Sequence, residues 1–154
     1  MATTATTIKA KLETTITGLT VAADSEKFEI MREDEDEGSI VTSANERRFE
    51  IFHFGGEDRV GESADAGYHH PTEGTVTERF QIAVFYPFKK DHRAQDSAIR
   101  EDVQKIKAAL NDPANWSADV EHQWVIQWPA PAPNPIGFWA QLIVVEVKFV
   151  ESSS

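Results

Sequence analysis

Histidine is the side chain best suited to exchanging protons near neutral pH, and the chain holds 5 of them. His53 and His122 each fall in a run of alternating apolar residues. On a shared sheet face they could act as an acid/base pair, in a pocket that Trp124 and Trp128 would help to line. Each also fits its strand's alternation as a partly buried, hydrogen-bonded residue, which requires no catalysis. The adjacent His69 and His70 point apart in an extended segment, and no carboxylate or third histidine stands at ligand spacing beside them. Nucleophilic chemistry has less support. The chain has no cysteine, which rules out thiolate nucleophiles, thiolate metal ligands and disulfides. No serine lies in a Gly-x-Ser-x-Gly elbow. Gly55-Gly56 lacks both the dinucleotide fingerprint and the lysine of a phosphate-cradling loop. No catalytic, metal-binding or cofactor-binding residue is therefore assigned, and no cofactor is expected.

Charge points away from nucleic acid as a tightly gripped ligand. With 26 acidic and 15 basic residues the formal charge is −11, whereas proteins that track phosphates concentrate lysine and arginine. Part of the excess is one run, Glu33, Asp34, Glu35, Asp36 and Glu37. Such a block reads as a solvated, mobile loop, or as a patch that meets a basic partner or lines a negative channel. Its carboxylates lack the alternation, the glycine and the final glutamate of a calcium-binding EF-hand loop. No stretch resembles a signal peptide or reaches membrane-spanning length, so synthesis in a cytoplasm is expected.

The aromatic residues offer a different chemistry, that of contact. Phe138 and Trp139 follow a segment holding Pro129, Pro131, Pro133 and Pro135, and Ile136 lies between. Large side chains at an uncovered sheet end suit a protein interface, because they bury much area for little lost rotamer freedom. Phe138, Trp139 and Ile136 are the interface candidates. Trp124 and Trp128 belong to the expected inward register of their strand, where core packing explains them.

The elements that position these residues follow from periodicity. Ile8, Leu12, Ile16 and Leu19 recur at helical spacing and predict a helix over 3–19. Residues 28–30 read as a short strand and 48–54 as a longer one. Residues 55–74 form a polar connection with five glycines and one proline, long enough to suggest function or disorder. Alternation predicts strands over 75–86, 120–128 and 138–150, the second with Val120, His122, Trp124, Ile126 and Trp128 facing inward. Ile99, Val103, Ile106 and Leu110 form one stripe of a helix over 92–110. The order α-β-β-β-α-β-β predicts one α+β domain over 1–154. It has two layers, a mainly antiparallel sheet of four to five strands with two helices on one face. A strand of about 13 residues runs ~43 Å, against ~28 Å for a helix of about 19 residues. The long strands should therefore overhang their helices, and apolar residues at the overhang need something else to touch.

With the amphipathic helix around Ile8, Leu12 and Ile16, the run RFQIAVFYP at 79–87, the helix at 96–110 and the closing VVEVKFV at 144–150, the chain resembles the tail terminator (tail-completion) proteins of long-tailed bacteriophages. The coarse pattern covers nearly the whole chain. The 55–74 loop and the acidic run depart from it. The resemblance implies a virion structural protein without an enzymatic centre. Copies of it would form a ring, six-fold in this family, that caps the tail tube, meets head-completion or neck proteins and lets DNA pass through its lumen. Glu33, Asp34, Glu35, Asp36, Glu37, Glu57 and Asp58 are then candidates for the lumen or for contacts between rings. A head–tail connector or stopper ring is the near alternative. A small-ligand-binding protein or enzyme using His53 and His122 is the distant one.

Overall fold

The computed structural model describes residues 3–19, 27–32, 35–42, 47–58 and 73–152. Helix α1 (Ala5–Thr17) starts at Thr4, whose hydroxyl accepts from the Thr7 amide while Thr7 returns the bond to the Thr4 amide. Threonine is a poor helix former, partly because its hydroxyl competes for backbone groups. Here Thr14, Thr15 and Thr17 donate instead to the carbonyls of Ala10, Lys11 and Glu13, at 3.0, 2.8 and 2.7 Å. The helix then turns Ile8, Leu12 and Ile16 into the core, as their spacing predicts.

The remaining elements are β1 (Glu29–Ile30), α2 (Glu37–Thr42), β2 (Arg48–Asp58), β3 (Glu73–Pro87), α3 (His92–Asn111), a 3-10 turn (Pro113–Asn115), β4 (Val120–Gln127), β5 (Ala132–Asn134) and β6 (Phe138–Ser152). They build one six-stranded sheet in the order β1-β2-β3-β6-β4, with β5 on the same margin of β6 as β4. Among the described residues only β1 with β2 is parallel; the other pairings are antiparallel. The protein is thus α+β with a mostly antiparallel open sheet, as the sequence predicts. Among the described residues no helix is long and apolar enough to cross a membrane.

One sheet face packs against α1 and α3. Phe49, Ile51, Phe80, Ile82, Val84, Tyr86, Ile143, Val145, Val147 and Phe149 meet the stripe Ile99, Val103, Ile106 and Leu110 there. Successive strand residues alternate faces, so Ala83, Phe85 and Phe138 lie on the opposite side, beneath Ile40 of α2. The short helix α2 is an addition to the expected pair, and it covers one end of the second face.

Several expectations need correction. β2 runs on through Gly55, Gly56, Glu57 and Asp58, and β3 begins at Glu73, so much of the expected loop is strand; residues 59–72, with His69 and His70, lie outside the described residues. Strand β2 absorbs its glycines through a bulge between His53 and Gly55. Gly55 takes φ +149, open to glycine, and a Cβ on Gly56 would strike the Glu78 carboxylate. In β4 the inward register is reversed. Val125 is buried opposite Val145, whereas Trp124, Ile126 and Trp128 are exposed. Two breaks in register along β4 shift its pairing, so a uniform alternation does not describe it. The proline segment also contributes a short edge strand, β5, on β6. Proline suits such an edge because its outer side needs no donor.

Overhang exists, though at one extremity. Strands β3 and β6 pair over 15 residues each, roughly 50 Å at 3.3 Å per residue. Helix α3 has 20 residues, about 30 Å. Its start is anchored at the Pro87 end by Gln95, whose Nε2 donates to the Pro87 carbonyl at 2.7 Å. At the opposite extremity, where Thr75 pairs with Val150 and Gly74 with Glu151, Val150 is exposed.

Candidate interaction surfaces

At the Pro87 end a tight turn joins β5 to β6. Asn134 accepts the Ile136 amide on its side chain at 2.9 Å and the Gly137 amide on its carbonyl at 3.0 Å. Gly137 sits at φ +125, a conformation glycine adopts without a Cβ clash. The turn projects Ile136, which is 52% exposed. The Gly137 carbonyl accepts the Phe88 amide at 3.0 Å, and this places the Phe88 ring edge-on to Trp139 with centroids 5.3 Å apart. Trp139 is half-buried against the helix-side core and lines a cleft of about 240 Å³ with Gln95, Ile99 and Pro131. Phe138, by contrast, is 2% exposed and packs edge-on against Phe85 at 5.6 Å. It is core, and its expected interface role is wrong: adjacent strand residues face opposite sides, and its side is closed by α2. Phe88 is the exposed aromatic that the sequence reading missed. It lies just past the proline that ends β3, outside any alternation.

The second sheet face carries a further apolar set. Phe52, Gln81 and Val144 stand in register across β2, β3 and β6, with Ile126 beside them on β4. The next row along holds the Arg79–Glu146 ion pair, at 3.0 Å, and Trp124. Phe52, Trp124 and Ile126 are all exposed.

Two of the acidic candidates, Glu35 and Asp36, are locally engaged. Glu35 pairs with Arg48, and that hydrogen bond holds its carboxyl below the usual range against the opposing effect of burial. Asp36 accepts the Ser39 amide at 3.1 Å and caps α2, with Glu37 in the helix's first turn. Glu50 lies near Glu37 across the second face, and burial first, then the Glu37 charge, raises its carboxyl pKa. A freely solvated loop does not describe these residues. Glu33 and Asp34 lie outside the described residues. Glu57 and Asp58 belong to the backbone of β2, opposite Thr77 and Val76, while their side chains are not described.

The proposed acid/base pair does not assemble. His53 is three strands away from β4 in the sheet order, at least ~14 Å at 4.8 Å per strand. It stacks on Phe80 with centroids 5.1 Å apart and contacts the Glu78 carboxylate. His122 pairs opposite Lys148, whose row lies on the second face. Trp124 shares that second face, while Trp128 turns towards α3 and takes Lys107 Nζ over its ring at 3.3 Å. These four residues line no common pocket. Among the described residues, no group of three or more histidines or carboxylates is placed to hold a metal ion.

Sequence reading also missed a buried polar trio. Asp102 Oδ2 accepts from Arg47 Nε at 2.8 Å and from Tyr86 Oη at 2.7 Å, and all three residues are buried. The available signal was spacing. Asp102 falls three residues after Ile99 and directly before Val103, so it shares the inward stripe of α3. The trio joins α3 to the start of β2 and to β3, fixing how the helix lies on the sheet. No family model matches the chain, and no curated protein matches it either.

Proposed function

We propose that the chain is a non-enzymatic structural subunit of the tail-terminator type. In this reading copies form a ring, six-fold in that family, on the end of a phage tail tube, at the junction with head-completion or neck proteins. The observation that carries the reading is the placement of its exposed large hydrophobics. Ile136 and Phe88 mark one extremity of the sheet, Val150 lies near the other, Phe54 stands at the β2 bulge midway between, and Phe52, Trp124 and Ile126 occupy the uncovered face. Contiguous exposed apolar surface marks contact sites. Surfaces that differ in kind at two ends and one face suit the head-to-tail contacts that close a ring. An acidic chain of net charge −11 also suits a lumen through which DNA slides without being gripped.

Particle assembly in the absence of the chain is the test. A terminator's loss leaves tails of uncontrolled length that do not join heads. Normal tails beside heads that fail to retain DNA would favour the connector or stopper alternative. Particles assembled normally without the chain would overturn both.

A further inference from the structure

The sheet guards its two edges unequally. At β4 the Val125 amide donates to Asn111 Oδ1 at 2.9 Å, Gln123 Nε2 donates to the Asn111 carbonyl at 3.1 Å, and irregular pairing breaks the strand. Such devices block edge-to-edge pairing. At β2 the short β1 covers only Arg48 and Phe49. There the Glu29 amide donates to the Arg47 carbonyl and the Met31 amide to the Phe49 carbonyl, at 3.1 and 2.8 Å. These bonds show that odd-numbered residues of β2 turn their backbone groups outward. By the alternation of antiparallel pairing, Ile51 and His53 do the same, and past the bulge the outward position passes to Gly56. Among the described residues these outward groups meet no partner.

The side chains along this edge indicate what fits it. Phe52 is exposed on the second face and offers an apolar contact. Glu50, on the same face, lies near Glu37, and among the described residues neither carboxylate has a cation. Arg48, two residues before Glu50 on the same strand, is engaged by Glu35 and Glu29. A second copy of the chain would bring an equally acidic edge, and like charges facing across a pairing are unfavourable. We infer that the outer edge of β2, from Glu50 to Gly56, is a strand-addition site for an extended, basic segment of a partner protein. Main-chain bonds to Ile51, His53 and Gly56 supply the pairing, while lysine or arginine opposite Glu50 and an apolar residue opposite Phe52 supply selectivity. This inference stands on the edge geometry and survives or fails independently of the ring proposal.

Amide hydrogen exchange on the full chain tests it, with a short synthetic peptide of repeating lysine, threonine and valine as the probe. Exchange at Ile51, His53 and Gly56 should slow by about tenfold or more when the peptide saturates the edge. A peptide with glutamate in place of lysine should leave the rates unchanged. His53→Pro removes an outward donor that β3 does not use, and should abolish the protection. Should that variant fail to fold, the Glu37→Gln/Glu50→Gln double variant serves, with protection by the lysine peptide weakened and the fold retained. Equal protection by both peptides would overturn the inference, as would none by either. So would amides already protected in the free protein, or protected in proportion to its own concentration, since its own chain would then fill the edge.

Discussion

Replacing Asp102 with alanine takes a carboxylate away from the Arg47 guanidinium, and both side chains are almost fully buried. Removing one partner of a buried ion pair costs about 3–5 kcal/mol. Small domains hold only about 5–15 kcal/mol in total, so the variant should sit near the limit of folding. At a urea dependence of ~2 kcal/mol per molar, a loss of ~4 kcal/mol lowers the unfolding midpoint by about 2 M. Tyr86→Phe removes one hydrogen bond to the carboxylate and should cost less, about 1.5–3 kcal/mol. Because both bonds end on the same Oδ2 atom, the double variant should cost less than the sum of the two single variants. Asp102→Asn isolates the charge. Burial raises the Asp102 pKa more than Tyr86 and Arg47 lower it. A raised carboxyl pKa contributes stability below the ordinary aspartate value and loses it as pH rises through the folded value. The stability of the natural chain relative to the asparagine variant should therefore fall with rising pH across the weakly acidic range. Urea titrations followed by circular dichroism measure all of this. A cost below about 1 kcal/mol for Asp102→Ala, strict additivity, or a relative stability that grows with pH would refute the account of this trio.

Four further variants have expected outcomes. Phe138→Ala should cost about 3–5 kcal/mol by emptying its site under α2, whereas Ile136→Ser should leave the urea midpoint within ~0.5 kcal/mol of the original and impair joining of tails to heads in an assembly assay. Gly55→Ala should destabilise the chain by about 1 kcal/mol or more, since its φ of +149 strains any other residue; thermal unfolding reads the loss. Glu35→Gln should remove an acid sensitivity: the Arg48 contact lowers the Glu35 pKa, so its stabilisation is present above the ordinary glutamate value and fades as pH falls through the lowered one, and the variant should lose less stability than the natural chain over that range.

What could be read from the residues depended on whether one rule governed them. The α3 stripe from Ile99 to Leu110 and the even-numbered face of β3 obey a single period over many residues, and both fold as the periodicity predicts. Strand β4 has an equally regular pattern, yet it buries Val125 and exposes Trp124 and Ile126. Its partner β6 is apolar on both faces, so pairing with β6 does not dictate which side of β4 turns inward. Phe138 and Trp139 read as a pair because they are neighbours, but a pleated strand separates neighbours onto opposite faces. Helix α2 has only six residues, less than two turns, too short for a repeating signal. Its Asp36 cap was hidden inside an acidic run that reads as solvated charge. The open edge of β2 lies beyond sequence reasoning of this kind, because it depends on how little of β2 the two residues of β1 cover.

Electron cryo-microscopy of the tail–head junction in assembled particles tests the central claim most directly. The account predicts a closed ring of copies on the tube's end, with Ile136 and Phe88 of one copy or Val150 of the next buried against a neighbour. A junction built from other chains, or a ring in which both extremities of the sheet stand free in solvent, would contradict it.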